Sequence, residues 1–307
     1  MSTPLVSVVV LSHNRPALLE RALVSVFAQA YPNTEVLVVD NRSTSSHQIA
    51  EIVSRFPGTR LVALPRNVGF TGGMNIGIRE ALGEYLYLTE DDIEVEQGAL
   101  ETLARHLDHH AEAGIAGPVM FNRTSGTVRC AGGHVTLGST YQLTIIGEDD
   151  VAAAPHGTAP YPVGYLPGAS MMVRRTVFES IGGFRDEFFM YGEDVEFCER
   201  VSRAGFAIAV VPRARVRHDD DASSSPAAIE FHKIKNFVSI YLIHARLSVL
   251  PLFVARYGAG GFVRALQEGR GLLHLRAWTW ALAHAPRFLL ERCHWSQVPS
   301  TLVALWR

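Results

Sequence analysis

The acidic tripeptide Glu90-Asp91-Asp92 is the part of this 307-residue sequence whose residue types and spacing most directly suggest chemistry. It follows residues 85–89, whose β-forming side chains, bounded by Gly83 and by charge, predict a short buried strand. Three adjacent carboxylates repel one another, and a bound divalent cation would offset that repulsion. The alternative is a solvated acidic turn without a ligand.

Other polar residues follow predicted strands in the same way. The first three strands are predicted at residues 6–11, 35–39 and 60–64. Helical patterns separate them, and this alternation predicts a parallel sheet with right-handed crossovers. Asp40 follows the second strand, and Arg66 and Asn67 follow the third. Ligands of open sheets bind beyond the carboxyl ends of the strands, so we expect these residues and the acidic tripeptide at one edge.

A glycine-rich segment, residues 67–75, precedes a helix predicted from about Met74 to Ala81. Backbone amides at a helix start favour a diphosphate, although a plain turn explains the glycines equally well. The sequence has no G-x-G-x-x-G after its first strand and no G-x-x-x-x-G-K-[ST]. These absences exclude the dinucleotide-binding and P-loop motifs.

A second acidic group, Glu193-Asp194, stands at the start of a helix predicted to run to about Ala204. A carboxylate at this position is stabilised by the helix dipole and often only caps the helix. Asp194 is therefore either a cap or a reactive group. The next strand is predicted at residues 207–211 and ends before His218, while residues 127–146 alternate like a hairpin.

The composition is that of a globular protein, with 48% hydrophobic and 19% charged residues. The three cysteines are far apart and form no C-x-x-C pair, which argues against a zinc knuckle or a disulfide framework. Reduced thiols in the cytoplasm are the default expectation. The short apolar run near the N-terminus has no basic region before it, so it predicts a strand and not a signal peptide.

Charge divides the chain at about residue 230. Residues 231–307 contain 10 basic and 2 acidic side chains, whereas residues 1–230 contain 18 basic and 28 acidic ones. Two apolar stretches, residues 249–255 and 277–283, are shorter than the ~20 residues of a membrane span. Arginine with Trp and Phe is typical of an interfacial amphipathic helix, and a helical extension packed on the catalytic body is the alternative. No nucleic-acid motif accompanies the charge, so no nucleic-acid partner is expected.

Taken together, the motifs resemble the family 2 glycosyltransferases, across residues 4 to 245. The general family motifs are Val6-Ser7-Val8-Val9-Val10-Leu11-Ser12-His13-Asn14-Arg15, Val38-Val39-Asp40-Asn41-Arg42-Ser43, Glu90-Asp91-Asp92 and Gly192-Glu193-Asp194. The rhamnosyltransferase branch is the closer resemblance. It depends on residues 66–75, 168–175, 183–194, 211–218 and 231–236.

The resemblance implies an α/β protein of the GT-A type, with a single Rossmann-like, mostly parallel central sheet flanked by helices. Residues 1–230 would form the catalytic domain and residues 231–307 a basic, amphipathic helical extension. The implied activity is inverting, metal-dependent transfer of L-rhamnose from dTDP-L-rhamnose, a nucleotide-sugar donor, to a hydroxyl of a glycan or lipid-linked acceptor. The implied location is the cytoplasm, with peripheral contact to the inner face of the cell membrane if the extension binds lipid.

The resemblance also implies residue roles. Asp194 matches the general base, and Asp92 with His218 matches the ligands of a divalent metal, Mg or Mn. The residues implied in substrate binding are His13, Asp40, Arg66, Asn67, Asn75, Glu90, Asp91 and Glu193. Glu90 departs from the usual Asp or Asn of the family, which puts its role in doubt.

The chemistry explains why these groups are needed. A metal stabilises the charge that gathers on the departing diphosphate, and a base accepts the proton of the attacking hydroxyl. One base without a second carboxylate as nucleophile implies single displacement with inversion. Two alternatives stay open: a UDP-galactofuranose or UDP-hexose donor, and a catalytically degenerate protein that only binds sugar nucleotides.

Overall fold

The computed structural model of the protein describes residues 3–138, 141–147, 157–219 and 225–295. Its strands are β1 (Val6–Ser12), β2 (Thr34–Asp40), β3 (Thr59–Ala63), β4 (Tyr85–Glu90), β5 (Ile93–Val95), β6 (Ala113–Asn122), β7 (Val128–Cys130), β8 (Gly133–Leu137), β9 (Tyr141–Ile145), β10 (Tyr161–Pro162), β11 (Ser170–Arg174) and β12 (Ala207–His218). Its α-helices are α1 (Pro16–Phe27), α2 (Ser46–Ser54), α3 (Gly69–Glu80), α4 (Ala99–His109), α5 (Arg175–Ile181), α6 (Glu193–Arg203), α7 (Pro226–His244), α8 (Leu250–Phe253), α9 (Gly260–Gln267) and α10 (Gly271–Trp295).

One mixed sheet forms the centre of the catalytic body, in the order β10-β12-β6-β11-β4-β1-β2-β3. The strands β4, β1, β2 and β3 are parallel, as the alternation of strands and helices predicts. β11 is antiparallel between β4 and β6, and β12 pairs in parallel with β6. β8 and β9 form a separate hairpin within the region where the sequence predicts one. Apolar side chains on both faces of the sheet form two buried clusters.

The parallel register brings the predicted polar residues to one edge. Ser12 at the end of β1 is paired with Asp40, and Leu11 is paired with Glu90. Asp40 is in turn paired with Ala63 at the end of β3. The expectation that these strand ends meet at one edge of the sheet is therefore confirmed.

β12 continues beyond the predicted end at Val211. The pairing of β12 with β6 shifts register between Val210 and Arg215, and Pro212 lies in this interval. Proline has no N–H to donate to a ladder, and an irregularity of this kind accommodates it. The continued strand then pairs antiparallel with β5 and brings His218 opposite Ile93.

The described part of residues 231–307 packs against the catalytic body. α7 and α10 share a buried cluster that includes Tyr241, Phe253 and Trp278. A hydrogen-bonded ion pair joins Arg185 Nη1 to Glu291 Oε2 of α10 at 2.5 Å. α7 spans residues 230 and 231, so the predicted domain boundary falls inside a helix and stays a prediction.

The segment Leu247–Gln267 is a continuous helical run of 21 residues, and 11% of its 18-residue apolar stretch is buried. The sequence predicts only a short apolar stretch here, at residues 249–255. The helical run is longer because Pro251 lies in the first turn of α8, where proline is compatible with a helix. By length and composition alone this helix could cross a membrane. One such helix in the described residues is weak evidence for a membrane span.

Candidate active site

Arg15 lies among the three carboxylates of the predicted metal site. Its terminal nitrogens are 2.7 Å from Asp91 Oδ1, 2.5 Å from Asp92 Oδ2 and 3.7 Å from Glu90 Oε2. The parallel pairing of β1 with β4 explains this position, because Arg15 follows one strand and the acids follow the other. Arg15 thus offsets part of the repulsion among the three carboxylates. The sequence alone predicts a bound divalent cation for that purpose. The contact with Arg15 is not predicted from the acidic tripeptide alone, although the basic residue just past β1 is an available signal.

Asp92 and His218 converge at the end of β12. His218 Nε2 lies 3.4 Å from Asp92 Oδ1. This buried Oδ1 accepts no well-formed hydrogen bond from the described residues. A carboxylate oxygen and an imidazole nitrogen are suitable ligands for a divalent metal such as Mn. Asp92 and His218 supply two ligands, and within the described ranges no group of three or more His, Cys, Asp or Glu side chains could hold a metal.

The three carboxylates differ in how their surroundings shift their pKa. Burial raises the pKa of Asp91 to about 7, although the Arg15 guanidinium opposes the rise. Burial also raises the pKa of Glu90. For Asp92 the effect of burial is outweighed by the contact with His218 and by the charge of Arg15, so its pKa is lowered. Asp92 is therefore the member of the triplet that best retains a negative charge.

His13 and Asn67 meet beside the triplet. The backbone N–H of His13 donates to Asp91 Oδ2 at 3.1 Å, and its ring Nε2 is 3.3 Å from Asn67 Nδ2. Asp40 is buried and accepts a hydrogen bond from the Ser43 amide at 2.9 Å. Arg66 is exposed on the segment that follows β3. The structure thus brings His13, Asn67 and Asp91 into contact and places Asp40 and Arg66 on neighbouring strand ends.

Helix α3 begins at Gly69, five residues earlier than the sequence pattern indicates. Three amides near its start donate to protein oxygens and so are not available to a diphosphate. The acceptors are Asn41 Oδ1 for Val68 at 2.9 Å, Asn67 Oδ1 for Gly69 at 2.8 Å and the Phe189 carbonyl for Thr71 at 3.2 Å. These contacts favour a plain turn over a diphosphate site in the glycine-rich segment.

Asn75 lies in α3 and contacts a segment other than the one that contains His13. Its Nδ2 donates to the Phe184 carbonyl and to Asp186 Oδ1, both at 2.7 Å, and its Oδ1 accepts from the Phe184 amide at 2.9 Å. The amide group is 7% exposed. The observed contacts therefore show that Asn75 fixes the segment that leads to Asp194. A contact between Asn75 and the nucleotide-sugar donor stays a prediction.

Asp194 lies in the first turn of α6 and has two sets of hydrogen-bond donors. Its Oδ1 accepts from the Val195 amide at 2.8 Å, which is a contact with the next residue and not a side-chain cap of α6. Its Oδ2 accepts from the Tyr165 hydroxyl at 2.9 Å and from the Gly168 amide at 3.4 Å. Burial nevertheless raises the pKa of Asp194. Tyr165 is not predictable from the sequence because no local pattern joins it to Asp194.

Glu193 has a different environment although it is the adjacent residue. It is 7% exposed, and its Oε2 has no hydrogen-bond partner among the described residues. Burial raises the pKa of Glu193 well above its usual value, and the charge of Asp194 adds to the rise. Glu193 is therefore the less suitable of the two carboxyl groups for accepting a proton at neutral pH.

The loop before Asp194 has an uncommon backbone and is fixed by helix α7. Phe189 and Tyr191 have φ values of 66° and 65°, which bulky residues rarely adopt. Asn236 Nδ2 donates to the carbonyls of Phe188, Met190 and Tyr191 at 2.9, 2.9 and 2.7 Å. The neighbouring Lys235 Nζ donates to the Glu187 carbonyl at 2.6 Å. These contacts connect residues of the predicted extension directly to the candidate base.

A cavity of about 910 Å³ lies in front of Asp194. Glu90, Glu193, Asp194 and His218 are among the residues that line it. The facing wall comes from the β8–β9 hairpin, α7 and β7, with Tyr141, Leu143, Ile145, Phe237, Lys233 and Arg129. Its described lining does not include His13, Asp40, Arg66 or Asn67. The cavity is thus large enough for a sugar-containing ligand, with a carboxylate of raised pKa in its wall.

Comparison with known proteins identifies the family and the fold. The model of the family described as glycosyl transferase family 2 matches residues 7–182, and that of the N-terminal domain of galactosyltransferase matches residues 151–220. The chain is 27% identical over 241 residues to the N-acetylglucosaminyl-diphospho-decaprenol L-rhamnosyltransferase of Mycobacterium tuberculosis, covering 70% of this chain and 76% of that protein. It is also 27% identical over 194 residues to the dTDP-rhamnosyl transferase RfbF of Shigella flexneri, covering 61% and 60%.

The fold has solved counterparts. The structure of GalNAc-T7 with UDP, GalNAc and Mn2+ superposes with a TM-score of 0.63 at 19% identity, covering 79% of this chain and 48% of that one. At this identity the similarity shows the fold, and it confirms the predicted GT-A architecture. Because the family 2 match covers more than half of its residues, the chain belongs to glycosyltransferase family 2, and it is similar to rhamnosyltransferases of that family.

Proposed function

We propose that this glycosyltransferase moves L-rhamnose from dTDP-L-rhamnose to a hydroxyl of a glycan or lipid-linked acceptor, with inversion and with a divalent metal. The observation that carries the proposal is Asp194, a carboxylate of raised pKa in the wall of the large cavity that Glu90 and His218 also line. The names of the two rhamnosyltransferase relatives support the choice of sugar.

Asp194 acts as the general base in this proposal. Its Oδ2 has neutral donors, Tyr165 and the Gly168 amide, which orient the carboxylate without a covalent or ionic bond. A positioned base of this kind contributes roughly 10²–10⁴-fold to the rate. Since Glu193 carries a pKa far above its usual value, Asp194 is the better proton acceptor of the pair. Attack by the acceptor hydroxyl on the anomeric carbon then displaces the diphosphate in one inverting step.

Asp92 and His218 would hold the metal. Bound there, Mg or Mn would stabilise the negative charge of the departing diphosphate. The lowered pKa of Asp92 supports this role, because a metal ligand must be deprotonated. Glu90 and Asp91 would then contact the ribose or the metal.

The donor nucleotide is proposed to bind along the strand ends that hold His13, Asp40, Arg66 and Asn67. His13 and Asn67 are in contact, and Arg66 is exposed where it can reach a ligand. The acceptor is proposed to enter the cavity from the side of the β8–β9 hairpin. Arg129 and Lys233 in that wall would suit an acceptor that carries a diphosphate.

A UDP-hexose donor is the second candidate. The match of residues 151–220 to a galactosyltransferase model favours it, since that segment includes the loop before α6 and the end of β12. A degenerate sugar-nucleotide-binding protein is the third. The retention of Asp92, Asp194 and His218 argues against loss of catalysis.

The test is a panel of nucleotide sugars measured with and without manganese, by titration calorimetry and by hydrolysis of the donor. The proposal predicts that dTDP-L-rhamnose binds more tightly than UDP-sugars and is hydrolysed faster with the metal. Tighter binding of a UDP-hexose would establish the second candidate. Binding without hydrolysis of any donor would favour the degenerate protein.

The C-terminal helices are proposed to contact the inner face of the membrane. Val263 and Leu266 are more than half exposed, and the basic Arg256 and Arg264 lie in the same helical run. Each basic side chain near an anionic surface contributes about 1 kcal/mol, which salt screens. Full-length protein should float with phosphatidylglycerol vesicles at low salt.

The sharper form of this test uses point variants. A truncation after His232 would also remove Lys235 and Asn236, which fix the loop before Asp194. A double variant, Val263→Ser with Leu266→Ser, should lose flotation. Leu82→Ser, which changes an exposed leucine of the catalytic body, should keep it. Equal flotation of the double variant and the wild type would contradict membrane contact through these helices.

A further inference from the structure

Arg15 and the proposed metal depend on the same carboxylate. Arg15 contacts Asp92 through Oδ2, while Oδ1 of the same carboxylate lies 3.4 Å from His218. The side chains of Arg15 and Asp92 are only 16% and 5% exposed. A metal held by Asp92 and His218 would therefore lie close to a guanidinium that water screens poorly.

Two physical consequences follow from this arrangement. The first is repulsion between the fixed positive charge of Arg15 and a divalent cation, which weakens metal binding. The second is that Arg15 already neutralises part of the acidic triplet. Metal binding therefore relieves less repulsion among the carboxylates than it would if the three acids had no cationic neighbour. Both effects oppose the binding of the metal by Asp92 and His218 alone.

We propose that Arg15 is a tethered counter-cation that competes with the divalent metal for Asp92, so that tight metal binding requires the diphosphate of the donor. This inference rests on the proposed metal dependence. The two protein ligands leave the remaining metal positions to oxygens of another molecule, and a nucleoside diphosphate supplies such oxygens together with negative charge. That charge offsets both cations, so metal and nucleotide bind with positive coupling.

The coupling gives the enzyme a way to avoid loading metal without substrate. Wild-type protein should bind manganese weakly by itself and much more tightly with dTDP. If the coupling depends on Arg15, removal of its charge should make metal binding less dependent on the nucleotide. Arg15 is then a positioning residue, since it acts on the metal through Asp92.

The experiment measures manganese binding to the full chain by electron paramagnetic resonance, first with the metal alone and then with dTDP. Arg15→Met keeps an unbranched side chain and removes the charge. It should bind manganese alone about tenfold more tightly than the wild type, a change that even a solvent-screened like-charge repulsion can produce. The improvement on adding dTDP should be correspondingly smaller. Arg15→Lys, which keeps the charge but loses the planar fork, should lie between the two.

Arg21→Met is the matched control. Arg21 also forms ion pairs near the site, but its partners are Glu94 and Asp219 and not the acidic triplet. It should bind manganese as the wild type does. Thermal melting without metal adds a second readout: Arg15→Met should melt at a lower temperature than the control, and manganese should reverse the difference.

The outcomes separate the inference from the proposed function. Unchanged or weaker manganese binding by folded Arg15→Met and Arg15→Lys, in a protein whose wild type binds manganese with dTDP, overturns the inference alone. Equal improvement by dTDP in wild type and Arg15→Met also overturns it. If no form binds manganese although dTDP still binds, the proposed metal dependence fails and the inference fails with it.

Discussion

The two acidic clusters near the cavity differ in what surrounds their carboxylates. Asp91 and Asp92 contact a guanidinium, and Asp92 also contacts an imidazole. Asp194 instead accepts hydrogen bonds from a hydroxyl and two backbone amides, all neutral donors. The pKa of Asp92 is lowered and that of Asp194 is raised, although both side chains are largely removed from water.

This difference supports the opposite tasks that we propose for two chemically identical groups. Asp92, which contacts both Arg15 and His218, keeps its charge and suits a metal, whereas burial outweighs the effect of Arg15 at Asp91 and raises its pKa. A carboxylate that is buried among neutral donors holds its charge less firmly and can take a proton from an attacking hydroxyl. Substitution of each aspartate by asparagine, which removes charge and keeps the shape, tests whether the two tasks are really separate.

The largest effect is expected for Asp194→Asn. The variant removes the proton acceptor, so turnover should fall by roughly 10²–10⁴-fold while donor affinity stays near that of the wild type. Single-turnover product analysis and donor calorimetry provide the paired measurement. Glu199→Gln, on the same helix with a partly buried partner Arg203, is the control and should keep its turnover. If Asp194→Asn turns over as fast as the wild type, Asp194 only stabilises the start of the helix and Glu193 becomes the candidate base.

Asp92→Asn should fail at a different step. It weakens a proposed metal ligand, so the affinity for dTDP in the presence of manganese should fall by about tenfold or more. Excess manganese should restore part of the activity, which it cannot do for Asp194→Asn. If Asp92→Asn instead lowers turnover without changing nucleotide affinity, the distinction between the two clusters is wrong.

Asn236→Ala tests whether the base cluster depends on its support from α7. The variant leaves the carbonyls of Phe188, Met190 and Tyr191 without their shared donor, so the free energy of unfolding should fall by about 1–3 kcal/mol. Urea denaturation measures this change. Ser239→Ala is the control in the same helix, because its buried hydroxyl donates to the Lys235 carbonyl one turn away and not to the loop before Asp194. A loss no larger than that of the control would show that Asn236 is not required by the loop.

The sequence predicts the elements that depend on local patterns. The β-branched run of β1 and the apolar run of β4 are bounded by residues that break strands, so both strands and their polar ends are predictable. The acidic triplet and the helix that Asp194 opens follow from the same kind of pattern. These elements establish the α/β class and the edge of the sheet at which we propose that ligands bind.

The contacts that give each carboxylate its role are not predictable in this way. Arg15 and Asp92 are 77 positions apart, and Tyr165 and Asp194 are 29 apart. Such pairs are created by strand order and by loop packing, which leave no local periodicity. The extension of β12 through Pro212 is missed for a related reason, because the register shift that accommodates proline is set by its pairing with β6. His218 reaches Asp92 only through that extension.

The smallest expected effect is a pH shift in Tyr165→Phe. The Tyr165 hydroxyl donates to Asp194 Oδ2 and stabilises the charged form, so this hydrogen bond lowers the pKa of Asp194 against the rise caused by burial. Its removal should raise the pKa of Asp194 further. The base must be deprotonated to act, so turnover falls as the pH decreases through that pKa. The acidic limb of the rate profile should therefore move to higher pH in the variant, by about one unit or less.

The measurement is single-turnover rate against pH for wild type and Tyr165→Phe at saturating donor and manganese. Above the limb the two rates should converge, because the carboxylate is then charged in both proteins. Tyr161→Phe is the control, since its hydroxyl donates to the Ala131 carbonyl and not to Asp194, and its limb should match that of the wild type. A uniform loss of rate at all pH values would mean that Tyr165 only packs against the cavity. A shift to lower pH would mean that the neutral donors around Asp194 do not stabilise its charge, and the contrast with Asp92 would lose its physical basis.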